Sequence, residues 1–249
     1  MSEITFFVGV QGCKLRIMPV SLVLLRQFPL LGPLPKESLE ALSKEMTLRS
    51  FARRSAVITK GGLSLELGFL LEGRLQGVDF TVDGRGVGLY FVDVGDYFGE
   101  LSVVDGQAAS EFVVAATKST AAFVNARLAQ ELIFTHPEVA RGVMARLAGR
   151  VRAVTAQRTL LGLSNPVQRL CVLILQLPQQ ASGSEMHLSN APPHQELAMM
   201  INASRETVTR AFHLLFFNSL LAREGNTLKL IRIKVIKDIA EGRVEPPKA

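Results

Sequence analysis

The hydrophobic pattern changes period twice along the chain. Leu39, Leu42 and Met46 stand at i, i+3 and i+7, which predicts a short amphipathic helix over 36–48. Short apolar segments follow at 56–58, 67–71, 75–80, 87–91, 112–116 and 120–124. They are separated by Gly61-Gly62, Glu72-Gly73, Asp83-Gly84, Gly95-Asp96 and Asp105-Gly106. Apolar runs at roughly 8–12-residue spacing with turn chemistry between them predict an antiparallel sandwich or roll.

From Pro137 the period is helical: Ala140, Met144, Leu147, Val151, Val154, Arg158 and Leu161 step alternately by four and three, a single heptad seam. Arg141, Arg146, Arg150 and Arg152 lie off or beside it. Such a helix either packs on its own domain or forms half of a dimer coil. Ser164-Asn165-Pro166 ends it and starts another, because Pro is accepted in a first helical turn. There Val167, Leu170, Cys171, Ile174 and Leu175 form an apolar face, with Cys171 expected to be a buried thiol. Residues 179–193 read as a loop or a hairpin around 186–188.

A compact module follows. A short helix from His194 to Ile201 turns Leu197, Ala198 and Ile201 inward. Asn202-Ala203 makes the turn, and the Ser204 hydroxyl can cap a second helix. On that helix Val208, Ala211, Phe212 and Leu215 share one face, leaving Arg205, Glu206, Thr209, Arg210 and His213 on the other. Small Ala198 allows a close crossing, so the pair is predicted to be a helix-turn-helix with its polar first turns toward a major groove. Arg can donate two hydrogen bonds to guanine and Glu can accept from cytosine N4. Segments 220–223 and 227–231, joined by Glu224-Gly225-Asn226, predict a hairpin wing.

Charge sharpens the picture. Residues 1–124 carry 12 basic against 13 acidic side chains, 125–164 carry 6 against 2, and 165–249 carry 10 against 7. The positive excess therefore lies in the second half, which suits a polyanion. Two cysteines with no CxxC spacing predict neither disulfide framework nor metal site, and fit a reducing cytoplasm. Pro19, Arg26 and Pro29 interrupt the apolar run near the N-terminus, so neither a membrane span nor a signal peptide is expected. No nucleophile triad, P-loop or metal-ligand spacing argues for an enzyme.

Ser204-Arg205-Glu206-Thr207-Val208-Thr209-Arg210 resembles the recognition helix of the cyclic-AMP receptor protein/FNR family of transcription regulators. Phe98-Gly99-Glu100-Leu101 resembles that family's phosphate-binding cassette, Val94-Gly95-Asp96 the strand leading to it, and 70–75 (LLEGRL) an internal roll strand and turn. The likeness covers roughly 28–237; residues 1–27 match nothing. It implies an α+β chain: an unassigned segment 1–27, a cyclic-nucleotide-binding-like antiparallel β-roll over 28–136, a dimerisation helix over 137–164, and a winged helix-turn-helix over 165–249. It further implies a homodimer on palindromic double-stranded DNA, with RNA polymerase as a family partner. Arg205, Glu206 and Arg210 would contact bases and Thr207 a phosphate, flanked by Ser204, Thr209 and His213. Thr209 stands where Gly is common.

The cassette departs from the cyclic-nucleotide sensors. The phosphate-binding Arg position falls on Ala109 and its hydroxyl neighbour on Ser110, while the hydroxyl pair expected on the dimer helix falls on Val151 and Arg152. Cyclic AMP held in the usual way is therefore not expected. Gly99, Glu100, Leu101, Ser110, Arg150 and Arg152 remain effector candidates, for a cyclic dinucleotide among others or for none. Glu100 either accepts a sugar hydroxyl or caps its own loop. A different reading is a cyclic-nucleotide-binding-like scaffold module without specific DNA reading.

Overall fold

The computed structural model describes residues 14–16, 20–63, 65–81, 84, 86–177, 179–182, 185–189 and 191–247. Cys13, Asp83 of the expected Asp83-Gly84 turn, and residues 183 and 184 of the loop or hairpin expected over 179–193 lie outside them. Contacts divide the chain into two units, 1–79 with 89–150 and 80–88 with 151–249.

The first unit runs β1 (Lys14–Arg16), α1 (Leu22–Leu25), α2 (Lys36–Glu45), β2 (Thr47–Phe51), β3 (Ala56–Ile58), β4 (Glu66–Glu72), β5 (Leu75–Phe80), β6 (Gly86–Val92), β7 (Tyr97–Phe98), α3 (Glu100–Asp105), β8 (Phe112–Ala115), β9 (Ser119–Asn125), α4 (Ala126–Thr135) and the start of α5 (Pro137–Leu161). The joined ends of β5 and β6 count with the second unit. The strands form two sheets, ordered β1-β2-β9-β4-β7 and β3-β8-β5-β6. Side chains alternate across a strand, so β9 sends Ala121 and Phe123 into a core shared with Leu75 and Val113 of the other sheet. Ala122 and Val124 face a second core with Leu39, Leu132 and Val143 of the helices. A strand covered on both faces reads as a continuous apolar run, which is why β4 and β9 show little alternation. Phe98 meets Phe123 edge to face at 5.6 Å. Gly68 makes that possible, because a Cβ there would lie 2.3 Å from the Phe98 ring.

The helix expected over 36–48 stops at Glu45, and Met46 is extended at φ −71°, ψ 140°. Residues 47–51 instead pair antiparallel with β9, from Thr47 opposite Phe123 to Phe51 opposite Ser119. Ladder bonds and a β-branched Thr override a local helical period that Met46, still buried, had extended by one turn.

The second unit continues α5 and adds α6 (Pro166–Gln176), β10 (Gln180–Ser182), β11 (Glu185–Leu188), α7 (His194–Met200), α8 (Arg205–Phe217), β12 (Leu221–Glu224), β13 (Thr227–Leu230) and α9 (Ile233–Ala240). Asn165 caps α6 by accepting from Val167 N at 2.8 Å, with Pro166 in the first turn. The hairpin expected around 186–188 forms, and β11 pairs with β13, giving one sheet ordered β10-β11-β13-β12. Helix α6 packs on α8 and α9. Its Cys171 is buried, and burial pushes the thiol up to about 12, so it is inert at neutral pH.

Candidate functional site

The helix pair is held by a small buried set: Leu197, Ala198 and Ile201 from α7 and its end meet Val208, Ala211, Phe212 and Leu215 of α8. Asn202 takes the left-handed conformation at φ 48°, which Asn tolerates better than most residues. Ser204 then accepts from Thr207 N at 3.1 Å, fixing where α8 begins. Arg205, Glu206, Thr209, Arg210 and His213 are all exposed, and Thr207 is half-buried with its hydroxyl 3.0 Å from that of Ser204. Hydrogen bonds from its own backbone amide and from Ser204, aided by Arg205 and Arg210, lower the pKa of the Glu206 carboxyl. It stays an acceptor at neutral pH, the form that can pair with cytosine N4.

Thr209 is tied inward. Its hydroxyl donates to the Arg205 carbonyl at 3.0 Å and lies 2.9 Å from His194 Nδ1. One hydroxyl proton cannot serve both, so the ring donates from Nδ1 when Arg205 takes it. His194 also stacks on Phe212 at 4.7 Å, and burial with Arg223 and Arg205 nearby lowers its pKa, which suits a neutral ring. In the sequence His194 is only a helix start, because its contact with Thr209 joins residues 15 apart on two different helices.

The second candidate site lies wholly in the first unit. Ile58, Tyr90, Gly99, Leu101, Ser110 and Arg150 are among the residues lining a cavity of about 20 Å³, room for little more than one water molecule. Gly99 takes φ 85° before α3, and a Cβ there would sit 2.5 Å from the Glu66 carbonyl, so only Gly fits. Gly77 performs a similar service for Tyr90, whose ring comes within 2.4 Å of a Cβ built there. Glu100 opens α3 fully buried, and its nearest counter-charge is Arg150 Nη1 at 3.1 Å from Oε1. Among the described residues neither Glu100 oxygen accepts a well-aligned hydrogen bond, and Arg150 Nη2 is likewise unbonded.

Arg150 lies over the Tyr90 ring at 3.9 Å and 3.6 Å from Glu111 Oε1. Burial works against its charge, but Tyr90, Glu100 and Glu111 outweigh that and raise its pKa. Burial also raises the Tyr90 hydroxyl, far enough that it stays a proton donor at neutral pH. One turn earlier Arg146 makes a parallel clamp, donating to Asp96 Oδ1 at 3.0 Å and to the Tyr97 carbonyl at 2.6 Å.

Of the effector candidates, Gly99, Leu101, Ser110 and Arg150 line the cavity and Glu100 sits against Arg150. Arg152 does not line it: residues two apart on a helix face away from each other, and Arg152 is exposed in the second unit. Val151 is exposed too. The hydroxyl nearest to it along α5, on Thr155, donates back to the Val151 carbonyl at 3.0 Å. Sequence reasoning missed Tyr90 and Glu111. The available signal was a carboxylate directly before the apolar run 112–116, where a turn residue or small residue would have been unremarkable.

Comparison with known proteins decides the family. Residues 48–136 match the model of the cyclic nucleotide-binding domain, and residues 168–238 that of the Crp-like helix-turn-helix domain. The chain belongs to the CRP/FNR family of transcription regulators. It is 27% identical over 216 residues to the cyclic AMP receptor protein of Thermus thermophilus, covering 86% of this chain and 97% of that protein. It is 24% identical to the cAMP-activated global transcriptional regulator CRP of Pasteurella multocida over 77% of this chain and 93% of the relative. The solved structure of FixK2 from Bradyrhizobium japonicum resembles it with a TM-score of 0.67 at 20% identity, over 78% of this chain and 96% of the other, a likeness of fold. The α+β reading, with an antiparallel roll and a C-terminal helix-turn-helix, holds for this family member. Among the described residues no helix is long and apolar enough to cross a membrane.

Proposed function

We propose that this family member works in the cytoplasm as a homodimer that reads palindromic double-stranded DNA with α8, acting as a regulator rather than a catalyst. RNA polymerase is the partner that the resemblance adds. The observation carrying this reading is the exposed cluster of Arg205, Glu206 and Arg210 on a helix whose start is pinned by the Ser204 cap. Arg205 and Glu206 occupy the first turn. Arg210 follows a turn later on the same side, so all three reach one groove. Thr207, whose backbone amide and hydroxyl sit at the capped end, is assigned to a phosphate, and His213 to the edge of the contact. Its relatives are named for cyclic AMP, but Ala109 offers no guanidinium here, so this chain does not bind that effector through the family's usual contacts.

A binding selection on randomised DNA at fixed salt tests the DNA reading. The wild type should enrich a palindrome with a TGTGA-like half-site, Arg205 on a guanine and Glu206 on a cytosine of the paired strand. Glu206→Ala should cost about 1–3 kcal/mol on that site and relax one base pair. Thr207→Ala should weaken all sites alike. An unchanged motif for Glu206→Ala, or no enriched palindrome for the wild type, defeats the assignment.

A further inference from the structure

Three of the side-chain donors lining the roll cavity, on Tyr90, Ser110 and Arg150, already face one carboxylate. Tyr90 Oη donates to Glu111 Oε1 at 2.7 Å, the Ser110 hydroxyl donates to Glu111 Oε2, and Arg150 Nη1 lies 3.6 Å from Oε1. Ser110 is the hydroxyl, and Ala109 beside it the vacant Arg position, that the cassette resemblance assigns to a cyclic phosphate. Glu111 thus presents two anionic oxygens to the donor set on which a phosphodiester would have to rest. The rest of the lining supplies no counter-charge: Ile58, Gly99, Leu101, Ala109 and Val113 bring none, Ser102 adds only a neutral hydroxyl, and Arg150 is shared with buried Glu100 at 3.1 Å. Two carboxylates face one guanidinium. A ligand phosphate would add a third anion at a few ångströms, where the half-buried Arg150 and Glu111 are only partly screened by water.

We propose that Glu111 is a built-in anion, its carboxylate taking the phosphate position of the roll cavity and excluding phosphate-bearing ligands. The inference rests on reading that cavity as the effector site. It differs from the mere loss of a binding Arg, because restoring that Arg is then not enough: a guanidinium at position 109 would be neutralised by Glu111. Exclusion by charge and occupation by hydrogen bonds also separate experimentally. Glu111→Gln keeps acceptor and donor atoms for Tyr90 and Ser110 but removes the charge.

The test is calorimetric titration of the full-length protein with cyclic AMP and with adenosine, which shares the base and sugar but carries no charge. Ala109→Arg alone should bind cyclic AMP no better than wild type. Ala109→Arg/Glu111→Ala should bind it about 10–100-fold tighter than Ala109→Arg, the range expected for a released charge-assisted contact. Micromolar cyclic AMP binding by the wild type, or equal binding by the single and double variants, overturns the proposal. A double variant that takes adenosine but not cyclic AMP overturns the role of Glu111 and leaves the cavity as a nucleoside site. One that takes neither overturns the effector-site reading as well. Should the double variant fail to fold, Glu111→Gln decides by thermal shift: millimolar cyclic AMP should stabilise it and not the wild type, and no difference between them overturns the proposal.

Discussion

Among single residues, Thr209 stands where the resemblance of the recognition helix leads one to expect Gly, and the structure shows what holds it. With the hydroxyl of this exposed residue held by the Arg205 carbonyl and His194 Nδ1, the methyl group is the part left for a base contact. A methyl contacts the C5-methyl of thymine, not a hydrogen-bonding base edge. Thr209 should therefore add a thymine preference at one position of the half-site. Replacing that thymine by deoxyuridine should weaken wild-type binding about fourfold, since one buried methyl is worth about 0.8 kcal/mol. Thr209→Ser, which keeps the hydroxyl bonds, should lose the discrimination. Competition binding with the two oligonucleotides measures it, and equal sensitivity of the Ser variant would show that the methyl reads nothing.

Helix α5 is the element on which most rests, and it carries two faces at once. Val139 and Val143 are buried against the roll core, while Arg146 and Arg150 clamp the same side through Asp96, Glu100 and Glu111. The seam is the other face. Met144, Val151 and Val154 are 62%, 67% and 67% exposed, a row of large apolar side chains that water covers poorly. Leu147, counted with that seam in the sequence, instead packs partly on the core, so it is a poor position for a test. Val151→Lys/Val154→Lys removes apolar surface without touching the roll. Analytical ultracentrifugation should find this variant monomeric at micromolar concentration where the wild type is a dimer, with unchanged thermal unfolding of the roll. A wild type that sediments as a monomer would sink the coil.

The same helix shows what a single sequence can reveal. The exposed apolar row Met144, Val151 and Val154, the Ser204 cap, the inward set of α8 and the β-runs 56–58 and 75–80 follow local periods and turn chemistry, so they were legible, whereas Leu147, in step with that row, turns to the core. Strands β2 and β7 and helix α3 were not, because β2 owes its state to pairing with β9 and β7 is two residues long. The roll-facing stripe of α5 was hidden for a related reason: half of it is arginine, whose charge is matched by carboxylates far away in sequence. Glu111 was likewise invisible as part of a site, because the Tyr90 hydroxyl that donates to it stands 21 residues earlier in the chain.

For the whole molecule, dimerisation and base reading make a joint claim that neither makes alone. Two copies related by a two-fold axis through the α5 seam present two α8 helices, and both can read only if the half-sites lie on one face of the duplex, about one helical turn apart. Inserting about five base pairs between the half-sites turns one of them to the opposite face. Affinity should then fall about 100-fold or more, toward that of one half-site, because the second contact can no longer be made without twisting DNA. The Val151→Lys/Val154→Lys variant, unable to pair, should bind the natural and the lengthened sites equally and weakly. Its salt dependence should also be shallower, since fewer phosphates are contacted by one copy than by two. Fluorescence anisotropy across a salt series, with both sites and both proteins, reads all of these at once. A wild type indifferent to the insertion would mean that the copies bind independently, even if the seam does hold them together.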